Sequence, residues 1–144
     1  MPVSLSKRLL DIINALPLKD GMRVLEVGCG PGAMAREMAL RLPNGYVLAI
    51  DRSAKAIQQA KSGTRQGKRN DNLEFRQANI ESFELKPGEK PFDIAVAIRV
   101  GALDGRHPEI EKMALAQIAK ALTKKGRLFI DGGEPLKEIK FAQV

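Results

Sequence analysis

The first segment of the chain repeats apolar residues at the spacing of an amphipathic helix. These apolar residues are Leu5, Leu9, Ile12, Ile13 and Leu16. The spacing predicts a helix over residues 4–15, and Pro17 ends it because proline cannot continue the backbone hydrogen bonds of a helix.

Five later segments are short runs typical of strands: the first and the fourth are continuously apolar, as in strands covered on both faces by helices, and the third alternates apolar and polar residues. The predicted strands are residues 21–28, 46–51, 72–78, 92–98 and 126–131. Helices are predicted over residues 33–42, from an N-cap at Ser53 to about residue 61, and over residues 108–122 with a proline near the first position. This alternation predicts an α/β fold with a doubly wound, mainly parallel sheet, whose strands point their carboxyl ends to one edge.

Length and composition favour one domain over residues 1–144, because 144 residues that are 44% hydrophobic are enough for one core. No apolar run is long enough to cross a membrane, and the amino-terminal residues MPVSLSKRLL do not resemble a signal peptide. We therefore expect no membrane association and a cytoplasmic location. One cysteine and one histidine predict neither an internal disulfide nor a metal site.

The net charge of +7 raises the question of a nucleic-acid partner, since basic surfaces attract polyanions. The densest basic stretch, residues 61–72, also contains glycine, serine, threonine and asparagine, which is typical of a solvated loop. Aromatic residues make up only 4% of the chain, too few for a base-stacking surface. A nucleic-acid partner is left open but not favoured.

The segment VLEVGCGPG, residues 24–32, places an acid and three glycines at the end of the first predicted strand. Glycines let the chain turn sharply into the next helix and let a ligand approach the backbone. The spacing E-x-G-x-G-x-G differs from the G-x-G-x-x-G of dinucleotide sites, which disfavours an oxidoreductase. With this motif the sequence resembles the class I S-adenosylmethionine-dependent methyltransferase family, over residues 20–131 and in a short form.

The resemblance implies a Rossmann-like methyltransferase fold that binds S-adenosylmethionine and releases S-adenosylhomocysteine. Glu26 would receive the amino group of the cofactor, with a helix cap as the alternative role, and Gly28, Gly30 and Gly32 would form the turn around it. Asp51, at the end of the second strand, would accept the ribose hydroxyls, and Arg52 beside it is counted among the cofactor contacts.

The adenine end of the cofactor is assigned to the segment after the third strand. The family usually has an aspartate where this chain has Asn79, and the amide supplies an acceptor of the same shape without the charge. Ile80 would offer its backbone N–H and an apolar surface to the ring.

The loop after the fourth strand corresponds to the acceptor side of the family. Arg99, Asp104 and His107 are the catalytic candidates, with Arg106 as a further acceptor contact. The alternative for His107, the one histidine, is a polar residue in front of a helix. Arg99 at the edge of a pocket would suit a carboxylate or a phosphate.

The function that the resemblance implies is methyl transfer to a small-molecule acceptor by in-line displacement. The loop lacks the Asn/Asp-Pro-Pro-aromatic segment of enzymes that methylate exocyclic amino groups of bases. Two alternatives are kept, a non-catalytic cofactor-binding subunit and an RNA methyltransferase.

The carboxyl-terminal end departs most from the family. After the fifth strand the family commonly adds a helix and an antiparallel hairpin, whereas residues 132–144 can form one strand at most. An open sheet edge is a pairing surface, so we expect a homodimer or a complex with a partner subunit.

Overall fold

Helices and strands alternate in the computed structural model, which describes residues 5–64, 71–103 and 105–141. The helices are α1 (Lys7–Ala15), α2 (Ala33–Arg41), α3 (Ala54–Thr64) and α4 (Pro108–Ala121). The strands are β1 (Arg23–Val27), β2 (Tyr46–Asp51), β3 (Leu73–Gln77), β4 (Phe92–Ala97), β5 (Leu122–Asp131) and β6 (Leu136–Ile139). Short 3-10 turns at Ile80–Ser82 and Gly101–Leu103 follow β3 and β4.

All six strands form one sheet with the order β3-β2-β1-β4-β5-β6. β1 to β5 are parallel, and β6 pairs antiparallel with β5. β1 lies between β2 and β4, so the winding of the chain reverses beside it, and ligands bind at such a reversal in open α/β sheets. The predicted doubly wound, mainly parallel fold is confirmed.

The sheet separates two apolar layers. Strand residues such as Val24, Val47 and Val96 pack with apolar residues of α1, α2 and α3. Their neighbours along the strands, such as Leu25 and Leu48, pack on the opposite face with α4 and the 3-10 turns. This alternation follows from the strand period of two, and it leaves the carboxyl edge of the sheet between both layers.

The caps of the helices are the local features that follow most directly from sequence. The Ser53 hydroxyl accepts the N–H of Ala56 at 3.1 Å, as predicted for an N-cap of α3. Ser6 plays the same part for α1 by accepting the N–H of Leu9 at 3.2 Å. α4 has its proline in the first turn, where the missing N–H removes no helical hydrogen bond.

The boundary between α4 and β5 differs from the prediction. The helix ends at Ala121, and Leu122 already pairs with Phe92 of β4. The next pair is Ile94 with Arg127, so the residues between Leu122 and Arg127 form an irregularity before the regular ladder. The predicted strand 126–131 is the regularly paired part of a longer one.

The segment after β5 forms one antiparallel strand, β6, which is what the sequence prediction allowed. Of the basic stretch at residues 61–72, residues 61–64 belong to α3, and residues 65–70 lie outside the described residues. In the described ranges, every helix is too short or too polar to cross a membrane.

Candidate functional site

A turn rich in glycine connects β1 to α2 at the carboxyl edge of the sheet. Gly28, Gly30 and Gly32 have φ angles of +77°, +54° and +92°, which are left-handed values that side chains with a Cβ rarely adopt. Gly32 is the N-cap of α2, so the turn runs directly into the first free N–H groups of that helix.

The three glycines differ in what surrounds them. A Cβ on Gly28 would lie 2.8 Å from Val100 Cγ2, and a Cβ on Gly32 would lie 2.7 Å from Phe75 Cζ. A Cβ on Gly30 would meet no atom of the described chain within 4 Å. Gly28 and Gly32 are therefore required by packing, whereas Gly30 leaves open space above the backbone that a ligand can occupy.

Asp51 connects this turn to the next helix. Its Oδ2 accepts the Gly30 N–H and its Oδ1 accepts the Ser53 N–H, both at 2.9 Å. The carbonyl of Ile50 accepts the N–H groups of Gly28 and Cys29 at 2.8 and 2.9 Å. The sequence predicted Asp51 as a ligand contact, and the structure adds that its carboxylate holds the glycine turn against β2.

Glu26 is the one buried charged residue of the described core, with 4% of its surface exposed. Its Oε1 has no hydrogen-bond partner among the described residues. Burial, followed by the nearby negative charge of Asp51, raises the pKa of Glu26 to about 8, with the positive charge of Arg36 acting in the opposite direction. A buried carboxyl group without a partner is costly, which is typical of a group that meets its partner in a ligand.

Arg36 is a residue that the sequence analysis missed. Its Nη1 donates to the carbonyls of Pro31 and Ala60, at 3.0 and 3.4 Å, and so joins the glycine turn to α3. Its Nη2 is buried without a partner in the part of the chain that the structure describes. The sequence carries little signal for this role, because α2 also contains Glu37 and Arg41 and an arginine in such a helix is ordinarily assigned to its solvent-facing side.

Cys29 lies inside the same turn but is buried, with 7% exposure. Burial raises the pKa of its thiol well above the usual value, and the negative charges of Glu26 and Asp51 act in the same direction. A thiol that stays protonated is a poor nucleophile, so Cys29 packs as a small apolar residue.

The residues predicted for the adenine end lie where β3 ends. Ile80 is buried at 5% exposure in the second apolar layer, whereas Asn79 is exposed and caps the 3-10 turn without a side-chain hydrogen bond. Arg52 is exposed directly after Asp51, and its carbonyl accepts Gln77 Nε2 at 3.2 Å. The structure brings the ends of β1, β2 and β3 together, as the resemblance implied.

A cavity of about 740 Å³ opens beside the glycine turn, where β4 and β5 end. Its apolar lining comes from Ala97, Val100, Leu103, Leu115, Ile130 and Ile139. Its charged lining comes from Arg99, Arg106, Lys137, Glu111 and Asp131. Val100 also lies next to Gly28, where it would meet an added Cβ at 2.8 Å, so the cavity adjoins the turn at this side chain.

Some of the residues predicted for the acceptor side line this cavity and others do not. Arg99 and Arg106 line it, whereas His107 is the exposed N-cap of α4 and does not belong to its lining. Asp104 lies outside the described residues. The structure therefore brings Arg99 and Arg106 to the predicted acceptor side and leaves His107 at its periphery.

Arg99 has an unusual backbone. Its φ of +58° makes it the one non-glycine residue of the described chain in the left-handed region. The Arg99 N–H donates to Asp131 Oδ1 at 3.3 Å, and Arg8 donates to Asp131 Oδ2 at the same distance. Such a backbone costs about 1–3 kcal/mol and persists where the surrounding structure imposes it. Here Asp131 supplies that restraint, which sequence analysis missed because the two residues are 32 positions apart.

Within residues 5–64, 71–103 and 105–141, histidine, cysteine and carboxylate side chains form no group of three or more that could hold a metal ion.

Comparison with known proteins also identifies the chain as a methyltransferase domain. The family model described as "Methyltransferase domain" matches residues 18–142. A trans-aconitate 2-methyltransferase of Paracidovorax citrulli is 35% identical over 81 residues, which are 56% of this chain and 29% of that protein. The ribosomal RNA small subunit methyltransferase G of Alkalilimnicola ehrlichii is 33% identical over 127 residues, which are 86% of this chain and 54% of that protein.

A solved structure agrees as well. PKMT2 from Rickettsia typhi, determined in complex with AdoHcy, superimposes with a TM-score of 0.67 at 25% identity, over 87% of this chain and 24% of that one. The chain spans about half or less of the length of these relatives. It belongs to the methyltransferase-domain family, with the Rossmann-like fold of class I S-adenosylmethionine-dependent methyltransferases.

Proposed function

We propose that this chain binds S-adenosylmethionine and catalyses methyl transfer to a small-molecule acceptor. The observation that carries the proposal is Glu26, a buried carboxyl group with one oxygen unpartnered within the described structure, directly before the glycine turn. The positively charged amino group of the cofactor can serve as the partner that this carboxyl oxygen lacks among the described residues. Membership of the family and the AdoHcy complex of PKMT2 support the same assignment.

The residues at the site fit this cofactor. Gly30 leaves open space at the backbone, Asp51 lies at the end of β2 for the ribose hydroxyls, and Asn79 and Ile80 follow β3 for the adenine ring. Each Asp51 oxygen accepts one backbone N–H and retains a lone pair, so it can still accept from a ligand. Arg52 is adjacent and exposed, and we keep it as a peripheral contact.

When bound, S-adenosylmethionine supplies a methyl group on a sulfonium, which needs little activation. The chain has to hold the acceptor in line and keep water away. We assign this positioning to the cavity beside the turn, with Arg99 as the acceptor contact on its lining. A role for His107 or Asp104 in proton transfer stays a prediction, because His107 lies outside the lining and Asp104 is outside the described residues.

A small-molecule acceptor agrees with the size of the cavity. Its volume of about 740 Å³ lies within the range of pockets that enclose small ligands, roughly 300–1,000 Å³. The relative named trans-aconitate 2-methyltransferase has a small organic acid in its name.

RNA methylation is the second candidate, favoured by the match to ribosomal RNA methyltransferase G over 127 residues and by the net charge of +7. The two candidates make opposite predictions for ribosomal RNA fragments. An enzyme for small molecules should bind these fragments only at low salt, because non-specific binding falls steeply with ionic strength, whereas an RNA methyltransferase should still bind them at higher salt.

We further propose that residues 1–144 act as one domain in the cytoplasm, supported by the single sheet and the lone, buried cysteine. Within the described residues β6 forms one edge of that sheet, and no further strand lies beside its outer side. A homodimer or a partner subunit could cover this edge, and sedimentation of the purified chain at micromolar concentration would measure the association.

The cofactor assignment is tested by calorimetric titration of the chain with S-adenosylmethionine, S-adenosylhomocysteine and NAD. The two sulfur ligands should bind and NAD should not. Asp51→Asn should weaken binding by about 1.5–3 kcal/mol, the usual cost of a lost charge-assisted hydrogen bond. Asp11→Asn is the matched control, because Asp11 is an exposed residue of α1.

Absence of binding by both sulfur ligands to the folded chain would contradict the proposal. Binding without turnover on a broad acceptor panel would instead support the non-catalytic subunit.

A further inference from the structure

The charged residues of the cavity beside the glycine turn are distributed unevenly. Arg99, Arg106 and Lys137 contribute three positive charges, and Glu111 and Asp131 contribute two negative ones. Asp131 is already engaged, since its oxygens accept from the Arg99 N–H and from Arg8, which lies outside the lining. The cavity therefore presents a modest excess of positive charge.

The apolar residues of the lining belong largely to the second apolar layer. Leu103 is 7% exposed, and Val100, Leu115, Ile130 and Ile139 pack against the same layer. An occupant of the cavity would place an apolar body against these residues, while Arg99 and Lys137, both exposed, meet its charged end.

The backbone of Arg99 is a second, independent observation. The chain holds an arginine at φ +58°, where glycine would avoid the strain, and Asp131 restrains it there. A strained residue that a specific hydrogen bond maintains on a cavity lining is characteristic of a binding position.

We propose that this cavity recognises an organic acid, with its carboxylate at Arg99 and Lys137 and its apolar body against Leu103 and Leu115. Guanidinium groups bind carboxylates in a bidentate manner. Glu111 in the same lining repels a doubly charged phosphate group more strongly than a singly charged carboxylate. This inference rests on the proposed function, because it names the class of acceptor.

The test titrates the full chain with hexanoate, hexanamide and hexyl phosphate, followed by nuclear magnetic resonance or calorimetry. Hexanoate should bind more tightly than either of the other two. Arg99→Gln should weaken hexanoate binding about tenfold or more, the consequence of losing a charge-assisted hydrogen bond, and Arg99→Lys should restore part of it.

Lys137→Gln provides a second variant at an exposed position, and it should weaken hexanoate binding severalfold even if Arg99→Gln fails to fold. Lys125→Gln is the matched control, because Lys125 is an exposed cation of β5 about 20 Å of strand away from Asp131. It should leave hexanoate binding unchanged.

Equal affinity for hexanoate and hexanamide would overturn the inference, as would equal effects of the Lys137→Gln and Lys125→Gln variants. Tighter binding of hexyl phosphate would replace the carboxylate by a phosphate and overturn it too. S-adenosylhomocysteine is titrated in parallel. If S-adenosylhomocysteine binds and hexanoate does not, the proposed function stands and the carboxylate site is overturned. If hexanoate binds and S-adenosylhomocysteine does not, the proposed function is contradicted and the carboxylate site stands.

Discussion

Replacement of Glu26 by glutamine should make stability and ligand binding change in opposite directions. Burial first, and the charge of Asp51 second, raise the pKa of Glu26 from its usual 4.5 to about 8 in the folded protein. The folded chain therefore keeps a proton on Glu26 that the unfolded chain has already lost. The contribution of Glu26 to stability is fully present below about pH 4.5 and is lost as the pH rises towards 8.

The size of the effect follows from the same shift. At about 1.4 kcal/mol per pH unit, a rise of that size corresponds to about 5 kcal/mol. Structural relaxation and water entry reduce such costs in real proteins, so about 3–5 kcal/mol is expected. Glutamine resembles the protonated acid in shape and does not titrate, so the Glu26→Gln variant should not show this loss of stability.

The assay is urea unfolding of the wild type and Glu26→Gln at pH 5, 7 and 8.5. The difference in free energy of unfolding should shift in favour of the variant by about 2–4 kcal/mol between the lowest and the highest pH, since part of the loss has already occurred at pH 5. This difference is independent of any constant cost of the amide. Glu84→Gln, at an exposed position, controls for the loss of one carboxylate. A difference that stays constant with pH would refute the reasoning.

Calorimetry completes the prediction. The same Glu26→Gln variant should lose at least about tenfold in affinity for S-adenosylhomocysteine, since a charged partner of the amino group is removed. A gain in stability at high pH together with a loss of ligand binding would identify Glu26 as a group kept for binding at the expense of stability.

Two further substitutions test the packing around the site. Gly32→Ala should destabilise the chain by about 2 kcal/mol or more in urea unfolding, because the added Cβ clashes with Phe75 and the backbone is strained at φ +92°. Gly21→Ala is the control, since Gly21 has a similar φ of +94° but open space around it, and it should cost only the backbone strain. Arg76→Met should cost about 2–3 kcal/mol in the same assay, because Arg76 binds the carboxylate of Glu89 at 2.8 Å with both side chains at most 15% exposed. In the variant Glu89 keeps the N–H of Lys86 as its hydrogen-bond donor within the described part of the chain. The hydrogen bond from Arg76 lowers the pKa of Glu89, so the stability that this ion pair contributes should be lost as the pH falls below about 4.5. If wild type and Arg76→Met lost stability equally in acid, the ion pair would not be the source of this contribution.

The parts of the site that the sequence predicts are those formed by residues close together in the chain. The turn from Gly28 to Gly32 and the acid at the end of β2 follow from local spacing, and the structure places them together because neighbouring parallel strands end at one edge. The boundary at Leu122 was misplaced because an apolar residue satisfies both the last turn of a helix and the start of a strand.

The parts that sequence does not predict depend on residues far apart in the chain. Arg99 is held by Asp131, and Gly32 packs on Phe75, through contacts that exist only once the sheet has formed. The partly buried position of Arg36 is similar, since its partner Ala60 belongs to the next helix. Periodicity describes which face of an element is buried, but not which polar group across the sheet it will meet.

The contact between Val100 and Gly28 explains how the two halves of the site can work together. Gly28 belongs to the turn of the proposed cofactor site, and Val100 lines the cavity of the proposed acceptor. Because Gly28 has no Cβ, these two walls approach to a distance that a side chain would prevent. Transfer between two bound molecules needs their reacting atoms within about 3–3.5 Å. A side chain between two molecules is itself thicker than that distance, so the reacting atoms of the proposed site would have to meet beside Val100 and not across it. Gly28 is thus required by its left-handed backbone and by packing against Val100, and this packing keeps the turn and the proposed acceptor cavity adjacent.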